Sequence, residues 1–170
     1  GLATTPAMFM SVVFEKTHFD GSIMLTASHL PFNRNGLKFF DSDGGLEHDD
    51  ITDILKRACE ISEQKIDISE CKNFDLISLY SEHLRNTIIE EIEGAGQTDL
   101  PQKSSGAESS SDSGKKPLAG LKIVIDAGNG AGGFFAEKIL KALGADTEGS
   151  QFLEPDGNFP NHIPNPENPD

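Results

Sequence analysis

Thr26-Ala27-Ser28-His29-Leu30-Pro31-Phe32-Asn33-Arg34-Asn35-Gly36-Leu37-Lys38 is the stretch from which the rest of the chain is read. The residues before it, Gly21-Ser22-Ile23-Met24-Leu25, form a short apolar run with the character of a strand. Pro31 stops that strand, because proline has no backbone N–H to give to a sheet ladder. Ser28 and His29 are therefore expected in a loop at the carboxyl end of a strand, where open α/β sheets bind their ligands. Charge points the same way. The chain carries a formal net charge of −14, yet no Asp or Glu lies between Asp20 and Asp41, and Arg34 and Lys38 fall inside that window. A serine beside a histidine, followed by two cations in an acid-free window, suits an anion such as phosphate. The competing reading is an ordinary small-residue loop in a window that lacks acids by chance.

The chain has 170 residues, the size of one ordinary domain, and 36% of them are hydrophobic, enough for a core. No apolar run approaches the length of a membrane span. The amino end, Gly1-Leu2-Ala3-Thr4, has no initiator Met, no basic segment and no cleavage-like site, and the chain stops at Asn168-Pro169-Asp170 among prolines. It is expected to be a piece of a longer protein whose targeting information lies elsewhere. The acidic balance argues against nucleic acid or an anionic membrane as partner, while leaving room for a phosphorylated substrate at a locally basic site. Cys59 and Cys71 form neither a metal spacing nor a disulfide framework. Cys59 falls on the apolar side of an expected helix, which predicts core packing, and the composition fits a reducing compartment.

Thr4-Thr5-Pro6 is a helix start, a capping hydroxyl with proline just inside, and predicts a short buried helix over residues 7–14. Gly36 to Phe40 reads as a second strand, and Asp41-Ser42-Asp43-Gly44-Gly45 as a turn that lacks the later ligands of a calcium loop. Asp49 and Asp50 open a helix whose Ile51, Ile54, Leu55, Ala58 and Cys59 share one face. A further helix is expected from Asp75 to Glu93, with Ile77, Tyr80, Leu84, Ile88 and Ile92 as its stripe and His83 as an ordinary residue. From Gly94 to Pro117 the composition turns to Ser, Gly, Lys, Asp and Gln, which predicts a flexible linker or inserted loop. Leu121 to Asp126 then reads as a buried strand, followed by a helix from Phe134 to Leu143 capped by Gly144.

Between that strand and helix, Gly128-x-Gly130-x-x-Gly133 matches the dinucleotide-binding fingerprint, with Glu148 about twenty residues on. An oxidoreductase is thus one functional reading. It requires a second parallel strand ending in the acid, whereas Ala145-Asp146-Thr147-Glu148-Gly149-Ser150 is too polar and glycine-rich for a buried strand.

The first motif resembles the phosphoserine loop of the α-D-phosphohexomutase superfamily, T-A-S-H-N-P followed by N-G-x-K. Here it stands as Thr26-Ala27-Ser28-His29-Leu30-Pro31 and Asn35-Gly36-Leu37-Lys38, with Leu30 in place of Asn. Asp126-Ala127-Gly128-Asn129-Gly130-Ala131-Gly132 resembles the D-x-x-x-G-x-G opening of that family's second domain, and Pro155-Asp156-Gly157-Asn158-Phe159-Pro160 and Pro164-Asn165-Pro166-Glu167 a later loop of it. The resemblance implies α/β architecture: two incomplete three-layer α/β/α mixed-sheet domains. These would be residues 1–93, the latter part of a first domain, and residues 118–170, the start of a second, joined by the linker 94–117. It implies an enzyme interconverting hexose 1- and 6-phosphates, of glucose or mannose, through a bisphosphorylated sugar. Ser28 would carry the phosphate and, through it, meet a magnesium ion. Lys38 and His29 would handle protons, while Thr26, Arg34 and Asn35 would bind phosphate or substrate. Glucose 1,6-bisphosphate would be the activator. A cytoplasmic protein is implied, a plastid location staying open, as a monomer or weak dimer at full length. The family's aspartate loop, D-G-D-G-D-R, is not in this sequence. Residues 1–170 alone are expected to be inactive, and Leu30 leaves open a non-catalytic relative that binds a phosphosugar.

Overall fold

A hydroxyl and a proline set the start of the first helix, α1 (Thr5–Val13): Thr4 accepts the backbone N–H of Ala7 through its side chain, and Pro6 sits in the first turn. The computed structural model describes residues 1–31, 33–62, 65, 67–95 and 114–165, which fall into two compact units, Gly1–Leu76 and Ile77–Asp170. Among the described residues no helix is long and apolar enough to cross a membrane.

In the first unit, β1 (Ser22–Leu25), β2 (Leu37–Asp41) and the short β3 (Gly44–Gly45) make an antiparallel sheet in the order β1-β2-β3. β1 and β2 are the arms of a hairpin, with Ser22 opposite Phe40 and Leu25 opposite Leu37, so the Thr26–Gly36 stretch is the hairpin's own loop. The turn expected after β2 forms because Asp41 accepts the backbone N–H groups of Asp43 and Gly44 through one carboxylate oxygen. Small residues let α1 lie close to one face of this sheet. Ala7 and Ser11 are fully buried, the Ser22 hydroxyl donates to the Met8 carbonyl at 2.7 Å, and the Phe9 and Phe40 rings meet at 5.9 Å. Ile23, Leu25 and Leu37, on the opposite face, are exposed.

α2 (His48–Glu60) begins at the expected acids, with Asp50 accepting the backbone N–H of Glu47. Its apolar stripe does not become a core. No residue of α2 is buried, Leu55 is 62% exposed, and Cys59 is exposed rather than packed. The periodicity correctly set the helix and its face. Burial further requires a facing surface, and among the described residues only Ile51 and Ile54 find part of one.

α3 (Leu76–Ala95) supplies Ile89 to the core of the second unit, with Leu84 and Ile88 packed beside it. Its core partners lie within Ile77–Asp170. His83 is exposed. Of the linker 94–117, residues 96–113 lie outside the described residues. Leu118, Ile139, Leu143 and Ala145 complete the core. The expected helix after the glycine loop is present in an unusual winding: a 3₁₀ turn (Ala131–Gly133) leads into a π-helical segment (Ala136–Lys141). It ends at Gly144, whose φ of +94° suits the capping role expected of it.

Residues 121–126 are not a buried strand. Leu121 and Val124 are each 52% exposed, and pairing is limited to two isolated parallel bridges, Lys122 with Asp146 and Asp126 with Gln151. The partner segment is the polar stretch that the sequence argued against as a buried strand. It does run beside residues 121–126, but a turn closed by Ser150 N–H on the Thr147 carbonyl interrupts the ladder, and the Ser150 hydroxyl accepts the Ile125 N–H instead.

Candidate active site

The hairpin loop is shaped by its own short polar contacts. The Thr26 N–H donates to the Gly36 carbonyl at 3.0 Å and closes the loop just beyond the Leu25–Leu37 pair. The Thr26 hydroxyl accepts the Ser28 N–H at 3.0 Å, Leu30 donates to the Ala27 carbonyl, and Arg34 donates to the Pro31 carbonyl. Ser28 sits in the left-handed region at φ +56°, a conformation uncommon for a residue with a side chain. Its Oγ lies 3.4 Å from His29 Nδ1, and both side chains are exposed. Gly36 has a role that its place in the motif did not disclose: a Cβ there would come within 2.9 Å of the Thr26 carbonyl oxygen.

Of the residues singled out by sequence, Thr26, Ser28 and His29 are thus in direct contact. Arg34, Asn35 and Lys38 are exposed, and their side chains form no hydrogen bond or ion pair among the described residues. Lys38 stands on β2 opposite Met24, next to the residue that closes the loop. Phe32 lies outside the described residues. The site is a loop with one serine hydroxyl, one imidazole beside it, two cations unpaired among the described residues, and no carboxylate between residues 21 and 40.

Magnesium prefers oxygen ligands that include carboxylates. This donor set does not fit it unaided: the loop has no acid, and among the described residues no three His, Cys, Asp or Glu side chains converge.

The glycine loop of the second unit is of the opposite kind. Gly128 (φ +51°) and Asn129 (φ +59°) turn the chain sharply, and the loop is filled by the chain itself. Ala127 N–H donates to Gln151, Asn129 N–H to Phe152, Gly130 N–H to Ala127 and Gly128 N–H to the Asp126 carboxylate. A Cβ at Gly133 would overlap the Leu153 carbonyl, and one at Gly128 would meet the His162 ring at 2.7 Å. A dinucleotide cradle needs these N–H groups turned outward to a pyrophosphate. Here the N–H groups of residues 127–130 are bonded within the fold, and Glu148 ends no strand, so the geometry speaks against the oxidoreductase reading. His162 Nε2 lies 3.2 Å from Asp126, whose other oxygen accepts from Gln151. The His162 hydrogen bond, followed by the Gly128 N–H, lowers the pKa of Asp126, and the Asp126 bond raises that of His162.

Comparison with known proteins accounts for both loops. Residues 1–65 match the family model for phosphoglucomutase/phosphomannomutase α/β/α domain I, and residues 104–170 match that for α/β/α domain II. The chain belongs to the α-D-phosphohexomutase superfamily. Its architecture is α/β, built from parts of two such domains, and α3 lies between the two matched ranges. A phosphoglucomutase of Neisseria gonorrhoeae is 31% identical over 175 residues, covering 100% of this chain and 31% of that protein. A phosphomannomutase/phosphoglucomutase of Pseudomonas syringae pv. tomato is 30% identical, covering 98% of this chain and 29% of that protein. A phosphoglucosamine mutase of Caldicellulosiruptor bescii is 34% identical over 154 residues, covering 86% and 28%. The chain therefore spans about a third of the length of the curated relatives it matches.

Proposed function

We propose that this chain carries the phosphoserine loop of a hexose-phosphate mutase, with Ser28 as the phosphate carrier. The observation that supports this most is the Ser28 loop: the family's motif, in a chain matched by the family's first domain, with an exposed hydroxyl in a window free of acids. In the proposed reaction the bond from phosphorus to Ser28 Oγ breaks as a bond from phosphorus to a sugar hydroxyl oxygen forms. The proton of that hydroxyl ends on Ser28 Oγ. The bisphosphorylated sugar then reorients and returns its other phosphoryl group to Ser28. Such a transfer asks for in-line positioning and balanced charge more than for covalent chemistry from the protein.

Thr26 holds the Ser28 backbone, His29 and Lys38 are the candidates for moving the proton, and Arg34 and Asn35 are the candidates for meeting phosphate oxygens. Magnesium enters this reading only through the phosphate on Ser28, with its carboxylate ligands supplied from elsewhere. Glucose 1,6-bisphosphate is the expected activator, and the setting is cytoplasmic. The relatives are named for glucose, mannose and glucosamine phosphates, so the substrate class is a hexose phosphate of this kind.

The test is steady-state turnover of hexose 1-phosphate by the full-length protein. Wild type is expected to turn over once primed with sugar bisphosphate, and Ser28→Ala to lose about a thousandfold or more in kcat whether primed or not. Residues 1–170 alone are expected to show no turnover. A Ser28→Ala protein that keeps its rate would overturn the assignment. A wild-type protein that binds hexose phosphate without turning it over would identify a non-catalytic relative instead, with Leu30 the first position to restore to Asn.

A further inference from the structure

The chain contains two Asn-Gly dipeptides, Asn35-Gly36 in the serine loop and Asn129-Gly130 in the glycine loop. An asparagine followed by glycine is prone to one spontaneous reaction. The glycine's backbone nitrogen attacks the asparagine Cγ, the bond from Cγ to the side-chain nitrogen breaks, and ammonia leaves. Water then opens the cyclic imide at either carbonyl, giving aspartate or isoaspartate. No oxidant and no co-reactant other than water is needed. Glycine favours the reaction because it puts no Cβ in the way of the attack and lets the backbone turn into it.

The two sites differ in how free they are to react. Asn129 is held on three sides: its Nδ2 donates to the Glu154 carbonyl at 2.9 Å, its Oδ1 accepts from Asn161 at 2.6 Å, and its N–H donates to Phe152. The attacking nitrogen of Gly130 is itself committed to the Ala127 carbonyl at 2.8 Å. In the serine loop, Asn35 is exposed, its side chain forms no bond among the described residues, and neither does the Gly36 nitrogen. Among the described residues Gly36 is held only through its carbonyl, which accepts from Thr26.

We propose that Asn35 is a site of spontaneous deamidation in the folded protein and that Asn129 is protected. Conversion of Asn35 places a carboxylate in a window that has none between Asp20 and Asp41, within a few residues of Arg34 and Lys38. Taken with the proposed role of Ser28, the modification would oppose phosphate loading and act as an ageing lesion of the mutase.

The experiment incubates the full-length protein at mildly alkaline pH, native and in urea. Peptide mass spectrometry and isoaspartyl methyltransferase labelling follow both sites. In the native protein Asn35 is expected to convert at least about tenfold faster than Asn129, because Asn129 must first give up several hydrogen bonds. In urea the two rates are expected to converge. Native rates that are equal, or an Asn35 rate suppressed relative to urea as strongly as that of Asn129, would overturn the proposal. These readouts need no mutase activity. Phosphate on Ser28 in an Asn35→Asp protein is a separate measurement: normal loading there would overturn the claim that the lesion opposes phosphate loading, while leaving both the phosphoserine reading and the deamidation result standing.

Discussion

Two loops of this chain share an Asn-Gly dipeptide and use it in opposite ways. The loop between β1 and β2 is closed at its base by one backbone hydrogen bond from Thr26 to Gly36 and leaves Ser28, His29, Arg34, Asn35 and Lys38 exposed to solvent. The loop after Asp126 turns its N–H groups onto Asp126, Ala127, Gln151 and Phe152, and its glycines stand where the Leu153 backbone and the His162 ring need room. Motif spacing alone made the second loop look like a ligand cradle. Both loops bond several of their N–H groups internally, and what separates them is packing: Leu153 and His162 fill the glycine loop, whereas the serine loop leaves its polar side chains exposed.

The widest gap between the loops is expected in chemistry. Lys38→Met in the full-length protein is expected to lower kcat by about a hundredfold or more if Lys38 moves the proton, with little change in unfolding midpoint, since its side chain is exposed. An unchanged kcat would remove Lys38 from that role and leave His29 as the candidate.

Next in size is a contrast in stability. Gly133→Ala drives a methyl group into the Leu153 carbonyl and is expected to destabilise the second unit by about 3 kcal/mol. Gly36→Ala meets the Thr26 carbonyl at 2.9 Å, where an exposed loop has room to shift, and is expected to cost about 1 kcal/mol. Denaturant titrations of both variants check this. Equal costs would mean that the two loops are equally constrained.

The smallest effect concerns pH. The Asp126–His162 pair is partly exposed, with side chains 42% and 46% accessible, so its effect on stability is modest. His162 has its pKa raised in the folded chain, so its contribution is complete below the unfolded value of 6.5 and is lost as pH rises through the higher folded value. Asp126 has its pKa lowered, so its contribution is complete above 3.8 and is lost as pH falls through the lower folded value. Thermal unfolding of the wild type is expected to show a small loss of stability as pH rises past the histidine range, and His162→Ala is expected to abolish that slope. A slope that survives His162→Ala would assign it to other groups.

Much of this was legible from local chemistry. The Thr4-Thr5-Pro6 start, the two strands flanking the serine, the Asp41 turn and the Gly144 cap are each decided by a few adjacent residues. What was not legible depends on partners distant in sequence. The face of α2 has the periodicity, and residues 121–126 the apolar run, of a buried element, yet Cys59, Leu121 and Val124 are exposed because no described surface covers them. The parallel neighbour of residues 121–126 was hidden by its own polarity, since its Ser150 hydroxyl takes a place in the ladder that a backbone carbonyl would otherwise hold. At the site, residue types pointed to Ser28 and its neighbours. The left-handed Ser28 backbone and the close approach of Gly36 to Thr26 carried no signal beyond the motif itself.

The most direct test of the account is phosphosite mapping of the full-length protein before and after incubation with glucose 1,6-bisphosphate. The account predicts phosphate on Ser28 at close to one per chain after priming, lost on addition of excess hexose phosphate and absent in Ser28→Ala. A Ser28 that the bisphosphate cannot charge, or phosphate that settles on another residue, would contradict it.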